Sequence, residues 1–514
     1  MTDPTFGISI RRVDEEARPV LGADLSTIGL VGPAPGADPD AFPLNTPVLT
    51  RTNDGLLVRK LGTQGYLRDA LEGIADQLGE LQRAARTIVV RTQAGEGDDP
   101  TERLNQTIAG IVGSSTEGTG IHALTRAPSL LGFTPRLIIV PGYTGQTALS
   151  DTVGRIAQTY RGRGYVQGET YELEFAGGDP TTPAAAHAIG QDDGSLGYAV
   201  IDEHGAGYQS APTVTAPPPP EPDDDEDEPE GRPATFLAYM GLGANPVCAA
   251  LPFVLEQLLG HAVVESSGIN LQNDFDWRET MQSGRLIAIS GGVQVFDSIT
   301  GAVIARPLAP RVVGIAVRRD HEQGAPFHSW ANQPVQGIIA PGRDIDFSIL
   351  DGENEGQELL NANVGVLVRG EIGSDFAIAS GGFVFIGTDN VGEDELWRFY
   401  NVTRGRDYIH LGLIRALRFF LGRFNITGQT VQAILNTMGF FLRDLQARQN
   451  ILGYRVTFTG GKNSAEQIRL GKLSIGFKAE EPPVLRHIIT ESARYREAID
   501  ATIAQLERML GIAA

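Results

Sequence analysis

The chain has 514 residues, of which 41% are hydrophobic and 20% are charged, a composition typical of a folded protein with a sizeable core. Its 63 acidic and 42 basic residues give a formal charge of -21, but residues 169–231 alone hold 16 acids and no Lys or Arg. The rest is nearly balanced, which argues against a general nucleic-acid-binding surface. Cys248 is the only cysteine, so an intrachain disulfide and a cysteine-based zinc site are excluded. No stretch is apolar enough to predict a membrane span, and we expect synthesis in the cytoplasm.

The first predicted element is a strand in residues 6–10, where apolar and small or polar residues alternate. Phe6, Ile8 and Ile10 share one face of it. Residues 1–25 therefore form a predicted N-terminal arm. Its strand could be an ordinary edge strand of its own sheet or could pair with a neighbouring subunit.

A mixed α/β pattern follows, with short apolar runs that alternate with helical stretches. It covers residues 26–160 and resumes over residues 236–345, which predicts one interrupted α/β domain. Between them, residues 161–235 are rich in Gly, Tyr, Thr and Pro and predict a β-rich surface insertion that ends in a solvated acidic, Pro-rich loop.

The last third combines strands and helices and predicts a C-terminal α+β domain over residues 346–480. Helices are predicted at 407–424 and 430–449, and strands at 454–459 and 472–478. Leu473, Ile475 and Phe477 share one face of the last strand. Residues 481–514 form a predicted C-terminal extension whose helix has an apolar stripe that needs a partner surface. The predicted fold class is thus mixed α/β and multidomain, with extended terminal arms.

No catalytic constellation is visible. The Gly-rich residues 28–36 contain Pro33 and Pro35, which remove backbone N–H donors that a phosphate loop needs, and no GK[ST] follows. The eight histidines are scattered, and the acidic run 223–228 lacks a calcium-loop pattern. We therefore expect no enzyme activity, no cofactor and no metal. An α/β enzyme with a β insertion stays open as a competing interpretation.

Several segments resemble the tail sheath proteins of contractile bacteriophages and related injection systems. The most specific are residues 396–409 (LWRFYNVTRGRDYI), 441–445 (FLRDL) and 452–454 (LGY). Residues 329–332 (SWAN), 360–366 (LNANVGV), 7–10 (GISI) and 28–34 (IGLVGPA) are also similar to family segments. Trp330 stands where the family usually has proline, and Thr403 where it commonly has arginine.

The resemblance implies a structural subunit that stacks as hexameric rings around a tail tube and contracts to drive the tube through a host envelope. It implies a homo-oligomer with tube, baseplate and tail terminator partners, assembled in the host cytoplasm and resident in the virion. It also implies that the two terminal arms add strands to neighbouring subunits. A non-phage injection or secretion system is the alternative with the same fold.

One candidate tube-facing surface comes from charge. Residues 398–423 hold six arginines and one acid, and Arg404, Arg406, Arg415 and Arg418 are candidates to contact an acidic tube. A solvated helix face is the competing interpretation.

Overall fold

The computed structural model describes residues 25–79, 84–147, 149–220, 231–297, 300–370 and 382–511. The chain divides after Pro482 into two compact units, and each is described by itself. The candidate arm residues Phe6, Ile8 and Ile10 lie outside the described residues. Among the helices described, none is long and apolar enough to cross a membrane.

The first unit begins with alternating strands and helices. In chain order these are β1 (Ile28–Pro33), β2 (Pro47–Arg51), α1 (Gly55–Arg59), α2 (Leu67–Leu78), β3 (Arg86–Thr92), α3 (Pro100–Val112), α4 (Ala127–Leu131) and β4 (Leu137–Ile139). A short 3-10 helix at Gly120–Arg126 precedes α4.

The insertion follows β4, and its regular elements within residues 149–220 and 231–242 are strands, namely β5 (Leu149–Tyr160), β6 (Thr170–Ala176), β7 (Ala185–Ile189), β8 (Val200–Glu203), β9 (Thr213–Thr215) and β10 (Thr235–Leu242). They form one sheet in the order β5-β10-β9-β6-β7-β8. Hydrogen bonds from Val153 N to His204 O (2.9 Å) and from Tyr208 N to Asp151 O (2.9 Å) join β5 to the segment just after β8, so the two edges of the sheet approach each other, and we call this curved sheet the barrel. The sheet spans residues 149–242, so its first and last strands lie beyond the predicted limits of 161 and 235.

The α/β pattern then resumes with α5 (Pro246–Leu258), β11 (His261–Glu265), α6 (Leu271–Glu279), β12 (Leu286–Ile289), β13 (Gly292–Asp297), β14 (Ala302–Pro307), α7 (Ala309–Gln323), β15 (Gln333–Pro334), β16 (Ala340–Pro341), α8 (Glu355–Asn361), β17 (Val364–Gly370) and β18 (Gly382–Ile386). The unit ends with α9 (Tyr400–Leu417), α10 (Gly428–Ala447), β19 (Gly453–Thr457), α11 (Ala465–Arg469) and β20 (Gly476–Glu480). The second unit contains α12 (Arg496–Met509).

A nine-stranded sheet in the order β15-β18-β17-β12-β11-β4-β1-β3-β2 organises the first unit. The strands from β17 across to β3 are parallel, and their side chains are buried on both faces. This burial is expected for a parallel sheet covered by helices. Helices α2 and α7 cover one face, and α3, α5, α6 and α8 cover the other. Because β17 and β18 belong to this sheet, the predicted domain boundary at 345/346 divides it. The mixed α/β class predicted from the sequence is confirmed.

A third hydrophobic cluster lies where α9 and α10 pack together and against β19 and β20. Gly412 on α9 permits this contact, because a Cβ there would lie 2.3 Å from the ring of Phe441 on α10. Helix α9 also begins seven residues before the predicted start and ends seven before the predicted end. The first half of α9 lies against the body of the unit, and this position determines which of its arginines are buried.

Candidate assembly surfaces

The usual ligand site of a doubly wound sheet is the crevice at the strand ends where the strand order reverses. In this sheet the reversal lies between β1 and β4. The ring of Tyr66 lies near this point, because a Cβ on Gly142, just after β4, would lie 2.5 Å from that ring. Gly65 likewise approaches the last residue of β1, where its Cβ would lie 2.4 Å from the carbonyl oxygen of Pro33. Gly65 and Tyr66 thus lie close to the strand ends at which a doubly wound sheet usually binds its ligand.

A buried carboxylate lies beside the loop that follows β4. Glu265 at the end of β11 accepts hydrogen bonds from Gly142 N (2.7 Å) and from Ala309 N at the start of α7 (2.9 Å). Burial raises the pKa of Glu265 to about 7, although the two N–H groups favour the ionised form. Glu265 therefore connects the loop after β4 to α7.

A second buried carboxylate has only structural partners. Asp274 on α6 accepts hydrogen bonds from Ser266 Oγ (2.5 Å) and Ser290 Oγ (2.6 Å) and pairs with Arg343 (2.8 Å). In the described part of the chain, no group of three or more His, Cys, Asp or Glu residues is arranged to hold a metal ion. Cys248 is buried, and burial raises the pKa of its thiol.

Arg404 does not face a tube, and the prediction for this residue is wrong. Its side chain is fully buried and forms two hydrogen bonds with Asp320 on α7, Nη1 to Oδ1 (3.1 Å) and Nη2 to Oδ2 (2.6 Å). Its guanidinium also lies 4.9 Å from the ring centre of Trp330, which stacks on Tyr400. The residue joins α9 to the α/β body.

Arg406 is also engaged within the chain. It donates from Nε and Nη2 to the two carboxylate oxygens of Glu481, each at 2.7 Å, and from Nη2 to Ala479 O at 2.7 Å. Arg415 and Arg418 are exposed at the end of α9. Two of the four predicted residues therefore stay candidates for contact with a tube.

The sequence did not predict the partners Asp320 and Glu481. They lie 84 and 75 positions away from Arg404 and Arg406, so no local pattern connects them. One feature of the sequence pointed to this region. Trp330 and Thr403 depart from the family pattern, and both make contacts near the start of α9. Trp330 is the residue that stacks on Tyr400, and Thr403 Oγ1 lies 3.1 Å from His261 Nε2.

The second predicted arm strand lies in a hairpin of its own chain. β20 pairs antiparallel with β19, and Phe477 lies opposite Val456. Leu473 and Ile475 precede β20 and pack, together with Phe477, against the α9–α10 cluster. In the described residues this sheet has two strands, fewer than a stable independent sheet needs.

The second unit exposes an apolar stripe. Ile499, Ile503, Leu506 and Leu510 recur at helical spacing on and just after α12, and each is 49% or more exposed. An isolated helix of this length is marginal in water, so the stripe requires a partner surface.

Comparison with known proteins gives relatives along nearly the whole chain. The tail sheath protein of Escherichia phage P2 is 22% identical over 95% of this chain and 95% of its own length. A protein named putative prophage major tail sheath protein of Pseudomonas aeruginosa is 22% identical over 93% of both chains. No family model matches the sequence.

Among solved structures, the helical sheath of the anti-feeding prophage in its contracted state matches with a TM-score of 0.54 and 14% identity. The match covers 96% of this chain and all of that one. The resemblance noted in the sequence is therefore confirmed at the level of relatives and fold. The chain is related in sequence to phage tail sheath proteins, and its fold is that of a contractile sheath subunit.

Proposed function

We propose that this chain is the sheath subunit of a contractile tail, which polymerises as stacked hexameric rings around a tail tube. Contraction of the polymer would drive the tube through a host cell envelope. The observation that carries this proposal is the match to the tail sheath protein of Escherichia phage P2 over 95% of both lengths. A phage tail is favoured over a non-phage injection system because the sequence relatives are phage and prophage proteins, whereas the injection-system match rests on fold.

The partners that follow are other copies of the chain, a tube protein, a baseplate and a tail terminator, assembled in the host cytoplasm and retained in the virion. This function is favoured over the α/β enzyme because the relatives that match along nearly the whole chain are tail sheath proteins. The energy of contraction would come from a metastable assembly rather than from nucleotide hydrolysis.

The terminal arms would connect the subunits. The N-terminal strand with Phe6, Ile8 and Ile10 would pair with the two-stranded β19–β20 sheet of a neighbouring subunit. Strand addition supplies main-chain hydrogen bonds that survive rotation of a whole subunit. The face formed by Leu473, Ile475 and Phe477 already packs against the helices of its own chain, so it would position the acceptor hairpin.

Arg415 and Arg418 would face the tube. Both are exposed near the end of α9, and residues 411–427 contain three arginines and no acid. An acidic tube surface would complement this charge.

Negative-stain electron microscopy of the purified chain, alone and with its tube protein, tests the function. We expect hollow, striated cylinders that enclose the tube. Discrete globular particles at all concentrations would contradict the proposal.

The same assay tests the tube-facing surface with the double substitution Arg415→Glu and Arg418→Glu. We expect loss of tube decoration while empty cylinders still form. Arg448→Glu, an exposed arginine on the neighbouring α10 end, is the matched control. Unchanged decoration by the double variant would remove Arg415 and Arg418 from the tube interface.

A further inference from the structure

Three charged side chains on one turn of α9, residues 404–407, bind three separate parts of the first unit. We call this the charged turn. Arg404 binds Asp320 on α7, Arg406 binds Glu481 just after β20, and Asp407 binds Arg285 just before β12 (2.7 Å). One helical turn thus touches a covering helix, the central sheet and the origin of the C-terminal segment.

The contact at the C-terminal segment is specific in geometry. Arg406 uses two nitrogens on both oxygens of Glu481, and Glu481 is only 3% exposed. The guanidinium lies 4.9 Å from the ring centre of Trp397 and 5.8 Å from that of Phe477. Two-point Arg–carboxylate pairs of this kind fix orientation as well as distance.

Two neighbouring residues fix the same point. Asn401 donates from Nδ2 to Pro482 O (3.3 Å) and to Phe327 O (3.0 Å). Gly405 leaves room for the approach, because its Cβ would lie 2.6 Å from the ring of Phe327 and 3.4 Å from Glu481 Cγ. The first unit ends at Pro482, so the chain leaves it from a clamped position.

We propose that the charged turn is a mechanical junction, which transmits displacement of the C-terminal segment to the nine-stranded sheet. A force applied at residue 483 would act on Glu481 and, through its pair with Arg406, on α9. From α9 it would act on α7 through Arg404 and Asp320, and on β12 through Asp407 and Arg285. Without Arg406 the force would peel β20 from β19 instead. Only the consequence for the polymer rests on the proposed sheath function, since the clamp itself lies within one chain.

Hydrogen exchange of the soluble full-length chain tests the clamp. In Arg406→Met we expect the amides of residues 476–481 and of Leu452, which donates to Glu480 O, to exchange about tenfold faster, or ~1.4 kcal/mol. The barrel amides over 149–242 should not change. Arg406→Lys, which keeps the charge but not the two-point contact, should give a smaller increase, and Arg448→Met should give none. Unchanged exchange at 476–481 in Arg406→Met would overturn the clamp.

A double-mutant cycle tests whether Arg406 acts through Glu481. The variant with Arg406→Met and Glu481→Gln should exchange no faster than the more affected single variant. Effects that multiply would show that the two residues act independently and would overturn the pairing.

The junction is then tested in the polymer. Cylinders of Arg406→Met should fragment at a lower urea concentration than cylinders of the unchanged chain or of Arg448→Met. Equal resistance would overturn the mechanical role. If the unchanged chain forms no cylinders, the sheath proposal fails, whereas the exchange result still decides the clamp.

Discussion

Single buried charges fix the relative position of the elements in this chain. Glu265 illustrates this, because its carboxylate accepts N–H groups from the loop after β4 and from the start of α7. Desolvation of the carboxylate opposes ionisation more than these N–H groups favour it, so its pKa is raised to about 7. A group whose pKa is higher in the folded chain than in the unfolded chain stabilises the fold most at low pH.

We therefore predict that Glu265 makes the fold less stable as the pH rises. The contribution is complete below about pH 4.5, the ordinary pKa, and is lost as the pH rises to about 7. Between pH 5 and pH 8 the free energy of unfolding should fall by about 3 kcal/mol more in the unchanged chain than in Glu265→Gln. Urea titrations at the two pH values measure this difference.

Glu256→Gln is the control, because it removes a carboxylate that is exposed. It should retain the pH dependence of the unchanged chain. An identical pH dependence in Glu265→Gln would contradict the role of Glu265.

The sequence does not predict which arginines of α9 are buried. Arg404 and Arg415 are eleven positions apart, about three turns, so they lie on nearly the same face of the helix. One is buried against Asp320 and the other is exposed, because the first half of α9 lies against the body and the second half extends beyond it. Helical periodicity gives the face of a residue but not where along the helix the packing ends.

At the scale of elements, the two ends of the barrel meet where the chain leaves and re-enters the α/β body. Asn245, which follows the insertion, is buried and donates from Nδ2 to Tyr143 O (3.2 Å) and Gln146 O (2.7 Å), which precede it. Its Oδ1 accepts from Val247 N and Cys248 N and caps α5. The two ends of the insertion are therefore held together by one side chain.

We predict that residues 148–243 can be replaced by a short Gly-Ser linker without loss of the fold. The linker need only span a gap that Asn245 already closes, and no barrel strand belongs to the nine-stranded sheet. Circular dichroism and thermal melting should show a folded chain, and electron microscopy should show cylinders of smaller outer diameter. A folded chain that no longer polymerises would contradict a dispensable surface role for the barrel.

The limits predicted from composition, 161 and 235, differ from those of the six-stranded sheet, 149 and 242. The prediction was based on the Gly- and Pro-rich loops within residues 161–235. β5 and most of β10 lie outside these loops and have no such composition. Strand pairing across the insertion, such as Ala157 with Leu237, determines where it begins and ends. Such a pairing joins residues far apart in the chain, so no local pattern reports it.

At the scale of the whole molecule, one chain leaves surfaces uncovered that a polymer would cover. The β19–β20 sheet has two strands within the described residues, and α12 exposes its apolar stripe. A two-stranded sheet gains stability from further strands, and strand addition needs a donor with an alternating pattern. The sequence offers that pattern in residues 6–10.

We predict that deletion of residues 1–20 abolishes polymerisation and leaves the subunit folded. The nine strands named for the central sheet all lie after residue 27, so the deletion leaves each of them in the chain. Circular dichroism should therefore stay unchanged while electron microscopy shows single particles instead of cylinders. Ile8→Asp in the full chain should have the same effect, because it places a charge on the apolar face of the donor strand. Ser9→Asp places that charge on the opposite face and should still polymerise. Cylinders of normal length from the deletion variant would mean that subunits are connected without the N-terminal strand.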